Sequence, residues 1–231
     1  MSKFKYETHL HTKETSGCAR MPAEEIPELY KASGYDGVVV TDHYASYFFD
    51  KFENKPWKEC VDEYLKGYRS FKEKADKIGL IAILGMELKF DCLPNDYLIY
   101  GFDEDFLYEN PKLHKMNIIE FSELARKQGL LFIQAHPFRG GMVRENTDLL
   151  DGMEAFNGNP RHSSQNELAY EYALNNNLIM LAGSDFHQIE DLATSGIMIE
   201  ERVTTSKDFA KYLLAKNRKH DLVGLKNIGG L

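Results

Sequence analysis

Short apolar runs alternate with amphipathic stretches along most of the chain. The run FKYETHL at residues 4–10 precedes a helical pattern at 22–33, and GVVVTDH at 37–43 precedes a longer one at 60–79. Apolar residues that recur at helical spacing predict the helices, whereas short continuous apolar runs predict the strands. Runs such as LLFIQ and LIMLAG are apolar throughout, which is typical of strands covered by helices on both faces. The pattern predicts parallel βα units, with about seven strands in an α/β barrel.

One domain over residues 1–231 is expected, because no repeat, low-complexity tract or Pro-rich linker interrupts this pattern. Chains of this length are commonly single α/β barrels. The one long irregular insert, YASYFFDKFENKPWKE at 44–59, follows a predicted strand end and carries the single tryptophan, Trp57. Its aromatic side chains are expected to pack on the barrel rim in preference to contacting a substrate.

Composition and charge narrow the function classes. Hydrophobic residues make up 43% and charged residues 28% of the chain, the balance of a globular protein. A net charge of -8 opposes an extended nucleic-acid footprint but suits a small phosphorylated ligand held by local cations or metals. No signal-peptide-like or membrane-length apolar run is present, so a cytoplasmic protein without a membrane partner is expected. Cys18, Cys60 and Cys92 are widely spaced and predict free thiols, and no pattern indicates the oligomeric state.

Metal-binding side chains fall at the C-terminal ends of five predicted strands. They are His9 and His11, Asp42 and His43, Glu87, His136, and Asp185 and His187. In a parallel barrel these ends meet at one mouth, so the side chains are expected to converge. Residues two apart on a strand point to the same side, so His9 and His11 are spaced to chelate. Imidazoles and carboxylates bind Zn, Mn or Fe, and Glu87 suits a bridge between two ions, an arrangement that hydrolyses phosphoesters.

Several other residues have two interpretations each. Asp42 either binds metal or orients an imidazole, and Cys18 is either a soft metal ligand or a small buried apolar residue. Arg139 and Arg161 lie just beyond strand ends, where a guanidinium either grips a phosphate or forms an ion pair on the rim. The remaining histidines lie away from clear strand ends: His114 and His220, expected at the surface, and His162, whose role is open.

Five ordered motifs resemble the PHP family, the polymerase and histidinol phosphatase superfamily of metal-dependent phosphoesterases. They are HLHT at 9–12, TDH at 41–43, GMEL at 85–88, AHPFR at 135–139 and GSDFH at 183–187. The resemblance implies a stand-alone PHP domain, a distorted, TIM-like (β/α)7 barrel with two or three divalent Zn, Mn or Fe ions at its mouth. It carries ligand roles to seven residues: His9, His11, His43, Glu87, His136, Asp185 and His187.

The sequence departs from the fuller family pattern at two ligand positions. A ligand expected several residues after the HxH pair is missing, and Glu14, Ser16 and Cys18 lie near that gap. A histidine expected before the fourth strand is also missing, and Asp96 and Tyr97 lie there. Candidate substitute ligands are therefore Glu14, Cys18 and Asp96.

The resemblance predicts a hydrolase that cleaves a small phosphomonoester, like a histidinol phosphatase or a nucleotide phosphatase, with metal-activated hydroxide as the nucleophile. Arg139 or Arg161 is expected to neutralise the phosphoryl oxygens, and His43 or His187 to protonate the leaving alkoxide. Two alternatives are a metal amidohydrolase that cleaves C–N bonds and a catalytically weak metal-binding interaction module. The GSDFH ending and the seven retained ligand-type residues favour the phosphoesterase.

Overall fold

A computed structural model describes residues 3–215 and 220–224, and the rest of the expected 1–231 domain lies outside the described residues. The strands are β1 Phe4–Glu7, β2 Gly37–Val40, β3 His43–Tyr44, β4 Ile81–Leu84, β5 Met86–Lys89, β6 Asp96–Tyr100, β7 Leu131–Gln134, β8 Gly152–Asn157, β9 Ile179–Gly183, β10 Gly196–Ile199 and β11 His220–Val223. The helices are α1 Ile26–Ala32, α2 Ser46–Phe49, α3 Trp57–Tyr64, α4 Lys66–Ile78, α5 Glu104–Glu109, α6 Ile118–Gln128, α7 Asn166–Asn175 and α8 Ser206–Leu214. The predicted α/β class is confirmed.

The strands form two hydrogen-bonded sheets, ordered β11-β10-β1-β2-β4 and β3-β5-β6-β7-β8-β9. The strands β1, β2 and β4 are parallel, as are β7, β8 and β9. In contrast to the expected all-parallel order, β6 runs antiparallel to both of its neighbours, and β10 runs antiparallel to β1. A short connection between β5 and β6 leaves no room for a crossover helix, so the chain turns back as a hairpin.

Hydrogen bonds join the two sheets at both seams. At one seam only Gly85 separates β4 from β5, and its amide donates to Val40 O at 2.9 Å. At the other, the amide of His11 donates to Phe186 O at 2.9 Å, and the amide of Phe186 donates to His9 O at 3.1 Å. The strand segments therefore follow one another in the order expected of a distorted, TIM-like barrel. The hydrogen bonds of Phe186 with His9 and His11 bring the HxH segment beside the chain that follows β9.

Apolar side chains from most of these strands meet in one buried cluster. Members that are at most 1% exposed include Tyr6, Val39, Ile83, Leu98, Tyr100, Leu131, Ile133, Leu181, Ile197 and Phe209. Local signals set where the helices begin and end. For example, α6 starts with a capping box between Asn117 and Glu120 and ends at Gly129, whose φ of 69° suits a residue without a side chain.

The irregular insert packs on the rim, as expected for its aromatic residues. Phe48 and Phe49 are buried, and the rings of Phe49 and Trp57 lie 5.1 Å apart. The indole of Trp57 donates to Leu107 O at 2.9 Å. All three cysteines are free, as predicted. Within the described ranges, no helix combines the length and the apolar character needed to cross a bilayer.

Candidate metal centre

The His9 and His11 side chains are completely buried just beyond β1, although both are polar. The intervening Leu10 points into the apolar core, so the two imidazoles share the opposite side of the chain. Their Nε2 atoms lie 3.1 Å apart. The structure thus brings both imidazoles to one point, the arrangement predicted from their spacing.

Two carboxylates approach the same point. Glu87 Oε1 lies 3.3 Å from His9 Nε2, and Glu87 Oε2 lies 3.4 Å from His11 Nε2. Asp185 Oδ1 lies 3.4 Å from both Nε2 atoms. Both carboxylates are at most 2% exposed. Four side chains from β1, β5 and the end of β9 therefore surround one small, buried volume.

Glu87 also contacts two further groups of candidate ligands. His43 Nδ1 lies 2.8 Å from Glu87 Oε2, and His43 groups with His11 and His187. On the other side, His136 Nε2 lies 3.1 Å from Glu87 Oε1, and both group with Asp96. In each group the ligand atoms all lie within 4.8 Å of one another. Since β6 runs antiparallel, its first residue, Asp96, reaches the mouth.

Hydrogen bonds on the outer nitrogens orient the imidazoles. His9 Nδ1 lies 3.0 Å from Glu154 Oε1, and His187 Nδ1 donates to the carbonyl of Asp185 at 2.8 Å. Ser16 donates its hydroxyl to Asp42 at 2.7 Å, so its oxygen accepts from His11 Nδ1 at 3.3 Å. With Nδ1 protonated in each ring, the Nε2 lone pairs are left free to bind a metal.

This donor set fits a divalent cation. The lone pairs of His9 and His11 face each other and two carboxylates, which is repulsive unless a proton or a metal ion lies among them. His43 Nδ1 and Glu87 Oε2 are close but not aligned as a hydrogen bond, and neither atom has a hydrogen-bond partner in the described residues. Imidazole and carboxylate ligands suit Zn, Mn and Fe.

Two of the candidate ligands have unusual backbone conformations. His136 has a φ of 27° and Asp185 a φ of 51°, both in the left-handed region that disfavours residues with a side chain. Such conformations persist only where the surroundings enforce them, and they cluster at functional sites. The amide of His136 donates to Glu154 at 2.9 Å, and Asn159 donates to the carbonyl of Asp185 at 2.9 Å, which helps to hold both residues in place.

Mutual interactions dominate the electrostatics of the cluster. Burial alone would lower the pKa of His9, but the carboxylates of Asp185, Glu154 and Glu87 outweigh it and raise the pKa well above its usual value. Burial would raise the pKa of Glu87, yet His9 and His43 hold it well below the usual range. Burial, with His43 and His187, lowers the pKa of His11. The cluster thus prefers ionised carboxylates that face positive charge.

Two buried glutamates that support the site were not predicted. Glu7 Oε1 accepts from the amides of Thr8, His9 and Ser184 at 2.9 Å each, tying β1 to the chain after β9. Glu154 accepts from His9 and from the amide of His136, so it touches candidate ligands of two groups. The available signal was a glutamate within each of two predicted strands, YETHL and GMEAF.

The other residues that the sequence offered as possible ligands have different roles in the structure. Asp42 accepts from Thr12 and Ser16, which corresponds to an orienting role. Glu14 accepts from the amide of Ala23 and lies outside the described ligand groups. Cys18 is an exposed free thiol, and the nearby His187 and His43 outweigh the effect of partial burial and lower the pKa of this thiol to about 6.

The two arginines differ in how fully they are engaged. Arg139 Nη2 donates to Asp185 Oδ2 at 2.7 Å, whereas its buried Nε has no partner in the described residues. Arg161 forms a bidentate ion pair with Asp191, with distances of 2.9 and 2.8 Å. The interpretation of Arg161 as a rim ion pair thus matches the structure, and Arg139 retains a free donor beside the cluster.

The remaining histidines lie outside the cluster. His162 is exposed. The expectation of a surface position is wrong for His114, which is 1% exposed because the insert folds over it. His220 is half-buried in β11, and its ring bonds to Met180 O at 2.7 Å.

The fold and the site together define an α/β protein with a cluster of candidate metal ligands at one mouth, and comparisons with known proteins agree on the fold. A family model described as PHP-associated matches residues 163–217. PsfC from Pseudomonas syringae is similar in structure, with a TM-score of 0.67 at 13% identity over 97% of this chain and 93% of that protein. No curated protein matches the sequence significantly.

Two larger proteins contain a similar unit. A two-domain protein from Bacteroides vulgatus, with a predicted PHP-like metal-dependent phosphoesterase, has a TM-score of 0.61 at 17% identity over 90% of this chain and 62% of its own. The lesion-specific endonuclease EndoQ from Pyrococcus furiosus has a TM-score of 0.63 at 15% identity, over 95% and 58%. The chain therefore has the fold of these PHP-like proteins, and residues 163–217 match the PHP-associated family model.

Proposed function

We propose that this protein hydrolyses phosphoesters with bound divalent metal ions, and that its substrate is a small phosphomonoester. The observation that carries the proposal is the convergence of His9, His11, Glu87 and Asp185 on one buried point, with the imidazole lone pairs directed inward. Such a donor set has no structural purpose in an apolar core, where unpaired polar groups are costly.

Three ligand groups would hold two or three ions, of Zn, Mn or Fe. His9, His11 and Glu87 form the first group, with Asp185 3.4 Å from both imidazoles, and Glu87, Asp96 and His136 form the second. The third consists of His43 and His187, with His11 beside them and Cys18 as a substitute ligand. Bound ions would supply the positive charge that stabilises phosphoryl oxygens and makes water acidic enough to attack near neutral pH.

The chain's own groups have separate roles in this proposal. Arg139 is held by Asp185 and Asn157, and its unpaired Nε is available to donate to a phosphoryl oxygen. His187 is 13% exposed at the mouth, and it or the neighbouring His43 would protonate the leaving alkoxide. Arg161 would act indirectly, since its partner Asp191 also accepts from the amide of His187.

Small substrates are favoured over long nucleic acids because the chain carries a net charge of -8. A similar unit occurs in an endonuclease, so nucleic acid is an alternative substrate and the assay includes oligonucleotides. Amide substrates test the amidohydrolase alternative in the same way. Metal binding without any turnover would support the interaction module.

The test is to remove metals, reload the protein with Zn, Mn or Fe, and assay a panel. It contains p-nitrophenyl phosphate, histidinol phosphate, nucleoside monophosphates, a phosphodiester, short oligonucleotides and N-acyl amides. We expect metal-dependent release of phosphate from monoesters, which falls to the metal-free level in His9→Ala and Asp185→Ala. Asp76→Ala, which removes an exposed carboxylate on α4, is the control. Turnover that survives both site changes would refute the proposal.

A further inference from the structure

A cavity of about 350 Å³ lies beneath the aromatic insert, and no residue of the candidate metal centre lines it. We call it the insert cavity and define it by Phe49, Phe52, Trp57, Lys112, His114 and Lys115. One wall comes from the insert, and the facing wall from the turn at Leu113–Lys115. Its size is at the lower end of the range of small-molecule pockets, about 300–1,000 Å³.

His114 is the unusual group in this cavity. Its side chain is buried, yet neither ring nitrogen has a hydrogen-bond partner among the described residues. The ring is held from behind, since Phe49 stacks on it at 5.2 Å with an angle of 3° and Tyr44 contacts it at 5.6 Å. Burial lowers the pKa of His114, so the neutral imidazole offers one donor and one acceptor. Both nitrogens therefore lack a protein partner among the described residues and are available to a bound ligand or water.

The other walls indicate what kind of ligand would fit. Trp57 and Phe52 are half-buried and offer flat apolar surface. Three lysines and two carboxylates line the cavity, and one of the lysines, Lys55, pairs with Glu63, so the lining is close to neutral in a chain with a net charge of -8. Lys112 and Lys115 form no ion pair within the described ranges. Lys112 also has a φ of 59°, a conformation uncommon for a residue with a long side chain.

We propose that the insert cavity is a second binding site, specific for a small anion built on a flat ring, of the aromatic carboxylate class. The ring packs against the aromatic walls, the carboxylate accepts from the His114 N–H, and Lys112 or Lys115 balances its charge. This site does not depend on the metal centre, because the two share no lining residue.

Trp57 is the single tryptophan of the chain and lines the cavity. Its fluorescence therefore reports on ligand binding without a contribution from another tryptophan. We would titrate the full chain with benzoate, with its neutral analogue benzamide, and with cyclohexanecarboxylate, which has the charge without the flat ring. We expect a saturable change in Trp57 emission with benzoate, and binding weaker by about tenfold or more for the other two probes. No saturable change with benzoate would overturn the proposal and leave the cavity to water alone.

Variants of the lining residues separate the contribution of the imidazole N–H from that of the lysine charge. His114→Phe keeps the stack on Phe49 but removes the N–H, and Lys115→Gln removes one charge, so each should weaken benzoate binding by about tenfold. Lys77→Gln, an exposed lysine on α4, is the matched control and should bind benzoate normally. His9→Ala should also bind normally, which distinguishes this site from the metal centre. If His114→Phe fails to fold by circular dichroism, the double variant Lys112→Gln/Lys115→Gln decides, and unchanged benzoate binding in it would overturn the proposal.

Discussion

The outer nitrogen of His9 is held by a carboxylate that no ligand motif contains. Glu154 accepts from His9 Nδ1 with one oxygen, and from the amide of His136 and the side-chain amide of Asn157 with the other. A carboxylate in this position fixes the tautomer of the ring and increases its basicity toward a metal. Through the hydrogen bond between Glu154 and His9, a residue of β8 is therefore expected to influence the metal affinity of the mouth.

We expect Glu154→Gln to lower metal affinity by about 10–100-fold, because a neutral amide supports the His9 ring less well. A zinc titration against a chromogenic chelator measures the change. Glu171→Gln, on the exposed face of α7, is the control for the same substitution. Wild-type zinc affinity in Glu154→Gln would show that Glu154 has no orienting role.

Cys18 supplies the second residue-scale prediction, because His43 and His187 act on its thiol and lower its pKa to about 6. A thiolate there would act as a soft third ligand that favours Zn or Co over Mn. We expect the cobalt-loaded protein to show a near-ultraviolet sulfur-to-cobalt charge-transfer band. The band should disappear in Cys18→Ser and persist in Cys92→Ser, which changes an exposed cysteine. A band of equal strength in Cys18→Ser would exclude this thiol as a ligand.

At the scale of elements, the strand-end histidines and carboxylates were accessible from the sequence because apolar runs mark the strands. His9, His11, Glu87 and Asp185 follow such runs, and the rule that strand ends converge brings them together. Asp96 was predicted near a gap in the pattern, and the structure explains how it arrives. Its strand runs antiparallel, so the first residue and not the last lies at the mouth.

Other parts of the site depend on tertiary contacts that no local pattern encodes. The direction of β6 depends on which strands it pairs with, and the positive φ of His136 and Asp185 is imposed by surrounding hydrogen bonds. Glu7 and Glu154 resemble strand residues with an outward side chain until the fold closes around them. His114 lies in a polar stretch, and only the packing of the insert buries it.

Helix α4 provides the element-scale prediction, since it packs directly on the loop after the HxH pair. A Cβ at Gly67 would lie 1.9 Å from Thr12 Oγ1 and 2.9 Å from Asp42 Oδ2. These two side chains are hydrogen bonded to each other at 2.6 Å. We expect Gly67→Ala to push the helix off this loop and lower the free energy of unfolding by about 1–3 kcal/mol.

Chemical denaturation measures this loss, and a zinc titration tests whether the loop disturbs the site. Zinc affinity should fall as well, since Asp42 holds Ser16, which in turn orients His11. Gly140→Ala is the matched control, because a Cβ there would meet no atom within 4 Å. Full stability in Gly67→Ala would mean that α4 and the loop can move apart without cost.

For the whole molecule, the buried cluster links stability to pH. The pKa of His9 is raised, so its stabilising contribution is complete below about pH 6.5 and is lost as pH rises through the raised value. The pKa values of Glu87 and Asp185 are lowered, so their contribution is present above about pH 4.5 and is lost as pH falls through the lowered values. The metal-free protein should therefore be most stable between these limits and weaken toward alkaline pH.

Metal ions should reverse the loss of stability at alkaline pH. They replace protons on the same ligands and bind more tightly as those protons leave. From pH 6 to 9, we expect the stability gap between the zinc-loaded and metal-free proteins to widen by about 1.4 kcal/mol per pH unit for each proton released. Thermal unfolding with zinc or with a chelator measures the gap at each pH. His9→Ala removes the main protonated partner, so its gap should widen less. A gap independent of pH in the wild-type protein would show that the cluster does not exchange protons for metal.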